Sequence, residues 1–364
     1  MAEAATVDDR PSESVPWRAL VSADSHGGAP LGEMEEVAAR AGDRTVEGEG
    51  TTARIGVRVL ENAFKKNPEI HPEDRIREAD LDGVVAEVVY GFTGIPDGDF
   101  ADGIRQVQGA NDWSAEVYGD HLGRFAPSVC LPLPIERYGA RGGEKPSEEH
   151  IAAAAAEIRR TKAMGLRPAL FPDHCDALPL NLPEWNPIWE AACEVGMPLA
   201  FHVGVGRNPV QHRGPGGAIT NYAMVQGTIM ETASHLAAGG VLEQFPELKV
   251  VMVECGSGWL AWLMHVRDDA YVKHAHWTKP KLPMPPSEYL RRQLQVTFQE
   301  DPIGIANRHF TGLRCLMWGS DYPHHEGTWP DSQAAVAKQF AGVPEDEIDQ
   351  IVRRNAIETF DFDV

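Results

Sequence analysis

Long apolar runs are missing from this 364-residue chain. No stretch approaches the roughly 18 apolar residues of a membrane span. Met1 to Pro16 is acidic and polar, lacks the apolar core of a signal peptide, and reads as a flexible tail over residues 1–16. Cysteine is scarce: Cys130, Cys175, Cys193, Cys255 and Cys315 are scattered, with no CxxC pair. That pattern argues against a disulfide framework or a zinc ribbon, and is expected of reduced thiols in a cytoplasmic protein. Positive charge is also short. Thirty-three Lys and Arg against 54 Asp and Glu leave a formal net charge of −21. A field of that sign repels phosphate backbones and anionic bilayers, so neither nucleic acid nor a membrane is an expected partner. A small-molecule substrate is, and a homo-oligomer is compatible with the composition.

What is present is a repeating pattern. Short apolar, β-rich runs occupy Ala19–His26, Val84–Gly91, Phe125–Leu133, Gly165–Pro172, Met197–Gly204, Lys249–Gly256, Leu294–Asp301 and Leu313–Asp321. The segments between them suit helices, among them Ile151–Met164, Pro183–Glu194 and Met224–Phe245. Strands apolar on both faces that alternate with helices mean a parallel sheet, and eight such units close most naturally into a barrel. The expected fold is an α/β (β/α)8 TIM barrel forming one domain over residues 17–364. It carries a long insertion after the first strand, Gly27–Asp82, and an extra C-terminal helix, Pro344–Thr359.

In such a barrel, the chemistry stands at the C-terminal ends of the strands. Asp24 and His26 end the first run, Asp173 and His174 the fourth, His202 the fifth, Glu254 the sixth, Glu300 and Asp301 the seventh and Asp321 the eighth. Alternate residues on a strand share a side, so Asp24 and His26 can reach one ion. A lone imidazole such as His202 among apolar residues often serves packing, but its strand-end position favours ligation. Carboxylates in apolar runs, Glu254 and Asp321, are costly to bury unless they meet a cation or donors. The expected metal ligands are Asp24, His26, His202, Glu254 and Asp321, with His174 as a further ligand or substrate contact. Adjacent His324 and His325 cannot both point inward; His324 is the expected catalytic partner of Asp321.

At these residues the chain resembles the amidohydrolase-related branch of the metal-dependent TIM-barrel hydrolases. The resemblance spans about Ala19 to Phe360 and rests on SADSH at Ser22–His26, FHVG at Phe201–Gly204, GGVLEQFPELKVVMVECGSGWLAWL at Gly239–Leu263 and WGSDYPHHEGTWP at Trp318–Pro330. It implies that Asp24, His26, His202 and Asp321 hold the metal. Glu254 stands where many members have histidine, a departure that suits a harder or redox-active ion better than a His-rich zinc site. A group with such departures resembles the TIM-barrel diiron monooxygenase of platensimycin biosynthesis, which acts on CoA-linked substrates.

The expected cofactor is a divalent metal ion, zinc or iron, with one or two ions bound. The first functional reading is metal-dependent hydrolysis of a small acyl compound such as a CoA thioester or a β-ketoacyl-CoA. In it Asp321 takes the proton from water and His324 serves the leaving group. The alternatives are an O2-dependent non-heme diiron monooxygenase acting on a CoA-linked substrate, a non-oxidative decarboxylase of an unsaturated or aromatic acid, and a catalytically dead binding barrel. Arg207 and Arg213 after the fifth strand, with Trp277, Lys279 and Lys281 before the seventh, are the candidates for holding the nucleotide end of a CoA ester.

Overall fold

The computed structural model describes residues 16–27, 72–91, 100–134, 145–206 and 211–364. The expected tail as far as residue 15, residues 28–71 of the expected insertion, and Arg207 lie outside them. Among the described residues, eight short parallel strands appear in the expected order: β1 (Leu20–Ser22), β2 (Val84–Val89), β3 (Phe125–Pro127), β4 (Ala169–Pro172), β5 (Leu199–His202), β6 (Val250–Val253), β7 (Leu294–Phe298) and β8 (Leu316–Trp318).

The strands pair sequentially as β1-β2-β3 and as β4-β5-β6-β7-β8. Backbone hydrogen bonds past the regular strands close both seams. Between β3 and β4, Val129 N donates to Pro168 O at 2.7 Å and Leu170 N to Val129 O at 2.9 Å. Between β8 and β1, Ala23 N donates to Trp318 O at 3.0 Å and Asp321 N to Asp24 O at 2.8 Å. The barrel is therefore closed, and its second seam ties together two of the expected ligands.

Alternation along the strands sorts the side chains into two layers. Val21, Ala23, Ala86, Val88, Ala126, Leu170, Ala200, Val251, Val253 and Met317 pack in one cluster, the barrel interior. Leu199, Phe201, Val250, Met252, Leu316 and Trp318, their strand neighbours, pack in the larger cluster with the surrounding helices. Phe171, Phe201, Trp185 and Trp189 stack there, with Phe171 ring centroids 5.2–5.4 Å from the other three.

The helices follow local signals. Glu148–Ala163 starts at Ser147, whose Oγ accepts from His150 N, carries Glu148 and Glu149 in its first turn and Arg160 and Lys162 in its last. Ile151, Ala154, Ala155 and Ile158 form its buried face. The expected insertion after β1 ends in a barrel helix, Pro72–Asp82. The expected C-terminal helix is three contiguous helical pieces, Glu345–Asp349, the wider π turn Gln350–Arg354 and Asn355–Phe360. Phe360 at its end and Phe362 beyond it join the interior cluster, and Arg167, just before β4, donates to the carbonyls of Phe360 and Asp361. The C-terminal segment thus closes the N-terminal end of the barrel rather than only packing outside it.

At the other end, one buried cation fastens three strands. Arg75 of Pro72–Asp82 donates from Nε to Glu87 Oε1 at 2.5 Å and from Nη2 to Glu87 Oε2 at 3.1 Å. Its Nη1 donates to His26 O at 2.7 Å, its Nη2 to Ser25 Oγ at 2.8 Å, and its guanidinium lies 5.0 Å from the Tyr322 ring centroid. Arg75 so joins β2 to the chain ends beyond β1 and β8. Removing one partner of a buried pair strands the other charge. Arg75→Met is expected to lose about 3–5 kcal/mol of stability in chemical denaturation, and Arg75→Met with Glu87→Leu to recover much of it. A single variant within about 0.5 kcal/mol of the original would show that the pair carries no such weight.

Candidate functional site

The C-terminal ends of β1, β5, β6 and β8 bring the expected ligands to one place. His26 Nε2 lies 3.1 Å from Asp321 Oδ1 and 3.7 Å from Asp24 Oδ1. His202 Nε2 lies 3.8 Å from that same Asp24 oxygen and 3.5 Å from Glu254 Oε2. Ligands of one ion with bonds of ~2.0–2.3 Å stand about 3–4 Å apart, so this spacing fits a shared cation. Two trios emerge, Asp24–His26–His202 and His26–Asp321–His324, each with its ligand atoms within 4.8 Å of one another.

The backbone explains the convergence. Glu254 and Asp321 have φ of 57° and 56°, the left-handed region that non-glycine residues rarely occupy. Such a kink costs on the order of 1–3 kcal/mol and persists only where the surroundings impose it. Here it turns two carboxylates off the strand ends and into the mouth. Gly319 makes room: a β-carbon there would stand 2.5 Å from Asp24 Cβ. Thr297 on β7 couples two ligands, its Oγ1 accepting from Glu254 N at 2.8 Å and donating to Asp24 Oδ2 at 3.4 Å. His202 Nδ1 stands 2.9 Å from Val203 O. A carbonyl can only accept, so Nδ1 donates, and a neutral ring then presents the Nε2 lone pair to Asp24 and Glu254.

Electrostatics point the same way. Burial, and then the Asp321 charge, push the Asp24 carboxyl well above the ordinary range, while Thr297 pulls it down. Glu254 is raised well above its usual value by burial and then by the Asp321 and Asp24 charges. Asp321 is pushed up to about 7, chiefly by burial, with His324 opposing and Glu326 adding to the shift. Asp24 Oδ1 and Asp321 Oδ2 are buried without a hydrogen-bond partner among the described residues. A buried carboxylate oxygen in that state is what a cation relieves, and the donor set of three carboxylates and two imidazoles fits a divalent ion.

Of the adjacent histidines, His324 turns inward, its ring centroid 4.4 Å from that of His26. His325 is exposed and meets Glu326 at 2.5 Å. His174 is buried but belongs to neither trio; its Nε2 pairs with Asp176 Oδ1 at 2.7 Å and its Nδ1 faces Glu231 at 3.8 Å. Other strand-end carboxylates serve structure. Asp173 accepts from Thr228 Oγ1 at 2.8 Å, and Asp301 Oδ2 accepts the Ser257 and Gly258 N–H groups at 2.6 and 2.7 Å.

The expected nucleotide-binding loop is a correction. Trp277, Lys279 and Lys281 follow the sixteen-residue helix Gly258–Lys273. At 1.5 Å per residue a helix of that length carries the chain about 24 Å away from the mouth. Pro280 packs at Gly240, in the turn before β6, where a β-carbon would be 2.7 Å from Pro280 Cγ. Lys281 Nζ donates to the Ala275 carbonyl, and Trp277 is exposed. These side chains sit at the far end of the barrel because a segment after the helix, unlike one after the strand, lies on the opposite face. Arg213 is exposed in the turn before Gly217–Met224. Tyr222 in that helix is exposed, and its phenol is raised by partial burial and then by the Glu326, Glu254 and Asp321 charges.

Several residues escaped the sequence reading. Tyr90 directly follows β2 beside the site, with its ring 5.1 Å from His202. It occupies the same kind of strand end as Asp24 and His202, so the rule that found them applies to it. Glu87 was visible as a carboxylate inside an apolar run. Arg75 and Thr297 carried no such signal.

A family profile described as amidohydrolase matches residues 71–362. No curated protein matches the chain by sequence. Among solved structures, 5-carboxyvanillate decarboxylase from Sphingomonas paucimobilis is 19% identical with a TM-score of 0.70, the match covering 95% of this chain and 100% of that one. A dihydroxybenzoic acid decarboxylase from Polaromonas sp. JS666, with bound manganese and the inhibitor 2-nitroresorcinol, is 17% identical with a TM-score of 0.66, covering 94% and 97%. An amidohydrolase from Mycobacterium avium subsp. paratuberculosis is 21% identical with a TM-score of 0.63, covering 80% and 74%. Two of these three are decarboxylases and the third is described only as an amidohydrolase, so they support the family and not the diiron branch. With most of its length matched by the profile and the barrel closed as expected, this chain belongs to the amidohydrolase family.

Proposed function

We propose that the protein is a divalent-metal-dependent, non-oxidative decarboxylase of a small aromatic or unsaturated acid. The observation that carries this reading is the carboxylate-rich convergence of Asp24, Glu254 and Asp321 on His26 and His202. Asp24, His26, His202 and Asp321 would hold the ion, with Glu254 beside His202. Bound there, the ion supplies an electrostatic anchor for the oxygens of an anionic acid. Oxygen-rich sets suit manganese, magnesium or iron more than zinc. Each carboxylate also offsets part of the ion's charge, which weakens the acidification of water that hydrolysis depends on and leaves substrate anchoring possible. Two of the similar structures are decarboxylases of hydroxylated benzoic acids, one with manganese bound.

The chain's own groups supply the proton. Loss of CO2 from an aromatic acid breaks the bond between ring and carboxylate carbon, returns that electron pair to the ring, and adds one proton to the same ring carbon. Asp321, at the floor of the mouth against His26, is the proposed donor through Oδ2. His324, partly exposed and stacked edge-on against His26, links that position to solvent and restores the proton. Hydrolysis of a small acyl compound is the second reading, favoured by the family; it no longer includes a CoA handle on Trp277, Lys279 and Lys281.

Two experiments test the proposal. Asp321→Asn keeps the shape but removes the proton, and is expected to cut CO2 release from a panel of hydroxybenzoates by at least about 100-fold while the fold survives. Release of ammonia or an alcohol from amide and ester panels, with no CO2 from any acid, would put hydrolysis first. The second reads metal against pH. A carboxyl whose pKa is raised on folding binds more protons folded than unfolded, so its contribution to metal-free stability is full at low pH and is lost as pH rises through about 7 for Asp321. A cation stabilises the ionised cluster at rest, and the proton that Asp321 Oδ2 passes on arrives through His324 during turnover. Manganese is therefore expected to raise Tm more at pH 8 than at pH 5.5, as read by calorimetry. An increase equal at both pH values would mean that the ion does not bind these carboxylates.

A further inference from the structure

Tyr90 is 1% exposed, and its backbone is held on both sides. Its N–H donates to Ser25 O at 2.8 Å, and its carbonyl accepts from Gly27 N at 3.1 Å. Its position beside His26 is thus set by the β1–β2 pairing. The ring meets His202 edge-on at 5.1 Å between centroids and lies 6.3 Å from His26. Its hydroxyl is buried and has no hydrogen-bond partner among the described residues. Phenylalanine would fill this space without leaving a polar atom unsatisfied. A phenol packed against two candidate metal ligands, with no hydrogen-bond partner among the described residues, points to a ligand oxygen as its partner. Among the described residues, the carboxylates following β1, β6 and β8 supply acceptors, and the Tyr90 phenol adds a neutral donor to them.

We propose that the Tyr90 hydroxyl donates a hydrogen bond to an oxygen of the acid bound at the metal centre, making Tyr90 a substrate-contacting residue of the site. The inference rests on the reading that this centre binds an anionic acid. No covalent step is involved: the phenol keeps its proton and contributes orientation and affinity.

The test uses the full chain loaded with manganese, and 2-nitroresorcinol as the probe. Tyr90→Phe is expected to leave manganese affinity within about two-fold and the metal-free Tm equal or higher, because it removes a buried hydroxyl that has no partner. Calorimetric binding of 2-nitroresorcinol should weaken by about ten- to a hundred-fold, the range for a hydrogen bond to a charged acceptor. Replacing Tyr90 by 3-fluorotyrosine keeps the shape and strengthens the donor, and should bind the probe at least as tightly as the original. Equal binding by Tyr90→Phe and the original protein overturns the inference alone. A fall in metal-free Tm for Tyr90→Phe with unchanged probe affinity also overturns it, by assigning the hydroxyl a structural role. An original protein that takes up manganese but does not bind the probe overturns the anionic-acid reading and this inference with it.

Discussion

Three carboxylates share a small volume at the barrel mouth, and their mutual repulsion is the constraint around which the site is built. Asp24 is raised by burial and then by the Asp321 charge, Glu254 by burial and then by the Asp321 and Asp24 charges, and Asp321 by burial and by Glu326 against the opposing His324. Without protons or a cation such a cluster would push apart. What holds it together is the frame behind it. The β8–β1 seam bonds Asp321 N to Asp24 O, Thr297 bridges Asp24 and Glu254, and Arg75 clamps His26 and Ser25 to Glu87. The left-handed backbone at Glu254 and Asp321 shows how firmly that frame imposes its geometry.

The two ends of the barrel have separate tasks. At the N-terminal end, Phe360 and Phe362 fill the interior and Arg167 ties their carbonyls to the start of β4. At the C-terminal end, small interior residues such as Ala23 and Ala200 leave room for the polar side chains just beyond them. Stability is supplied mainly by the apolar layers, so the mouth can hold strained backbone and crowded charge. This division explains why exposed lysines and a tryptophan on the far-end loop are remote from the chemistry despite their basic, aromatic character.

The charge of the site bears directly on its chemistry. A histidine-dominated set leaves an ion strongly electrophilic. A set with Asp24, Asp321 and neighbouring Glu254 would neutralise more of a bound ion's charge, which is the physical basis of the proposal that it holds an anion's oxygens rather than activates water. His324 packs edge-on against His26, and Tyr90 edge-on against His202.

Much of this was legible in the chain itself. All eight strands lay where apolar β-rich runs occur, because strands buried on both faces must be apolar through their length and need helices to cover them. Asp24, His26, His202, Glu254 and Asp321 stood out because strand ends are local features and a charge in an apolar run is conspicuous. His174 was found by the same rule, yet its ring turns to Asp176, since a strand end specifies a neighbourhood and not a side-chain direction. Arg75 and Thr297 look ordinary in sequence; only the fold brings a helix guanidinium to His26 or a hydroxyl between two carboxylates. The far-end loop shows the same limit in reverse: its composition suggested a nucleotide, but the length and direction of the helix before it decided where it lies. Periodicity and burial cost act along the chain and can be read there, whereas side-chain orientation, left-handed kinks and contacts between distant segments exist only once the barrel has closed.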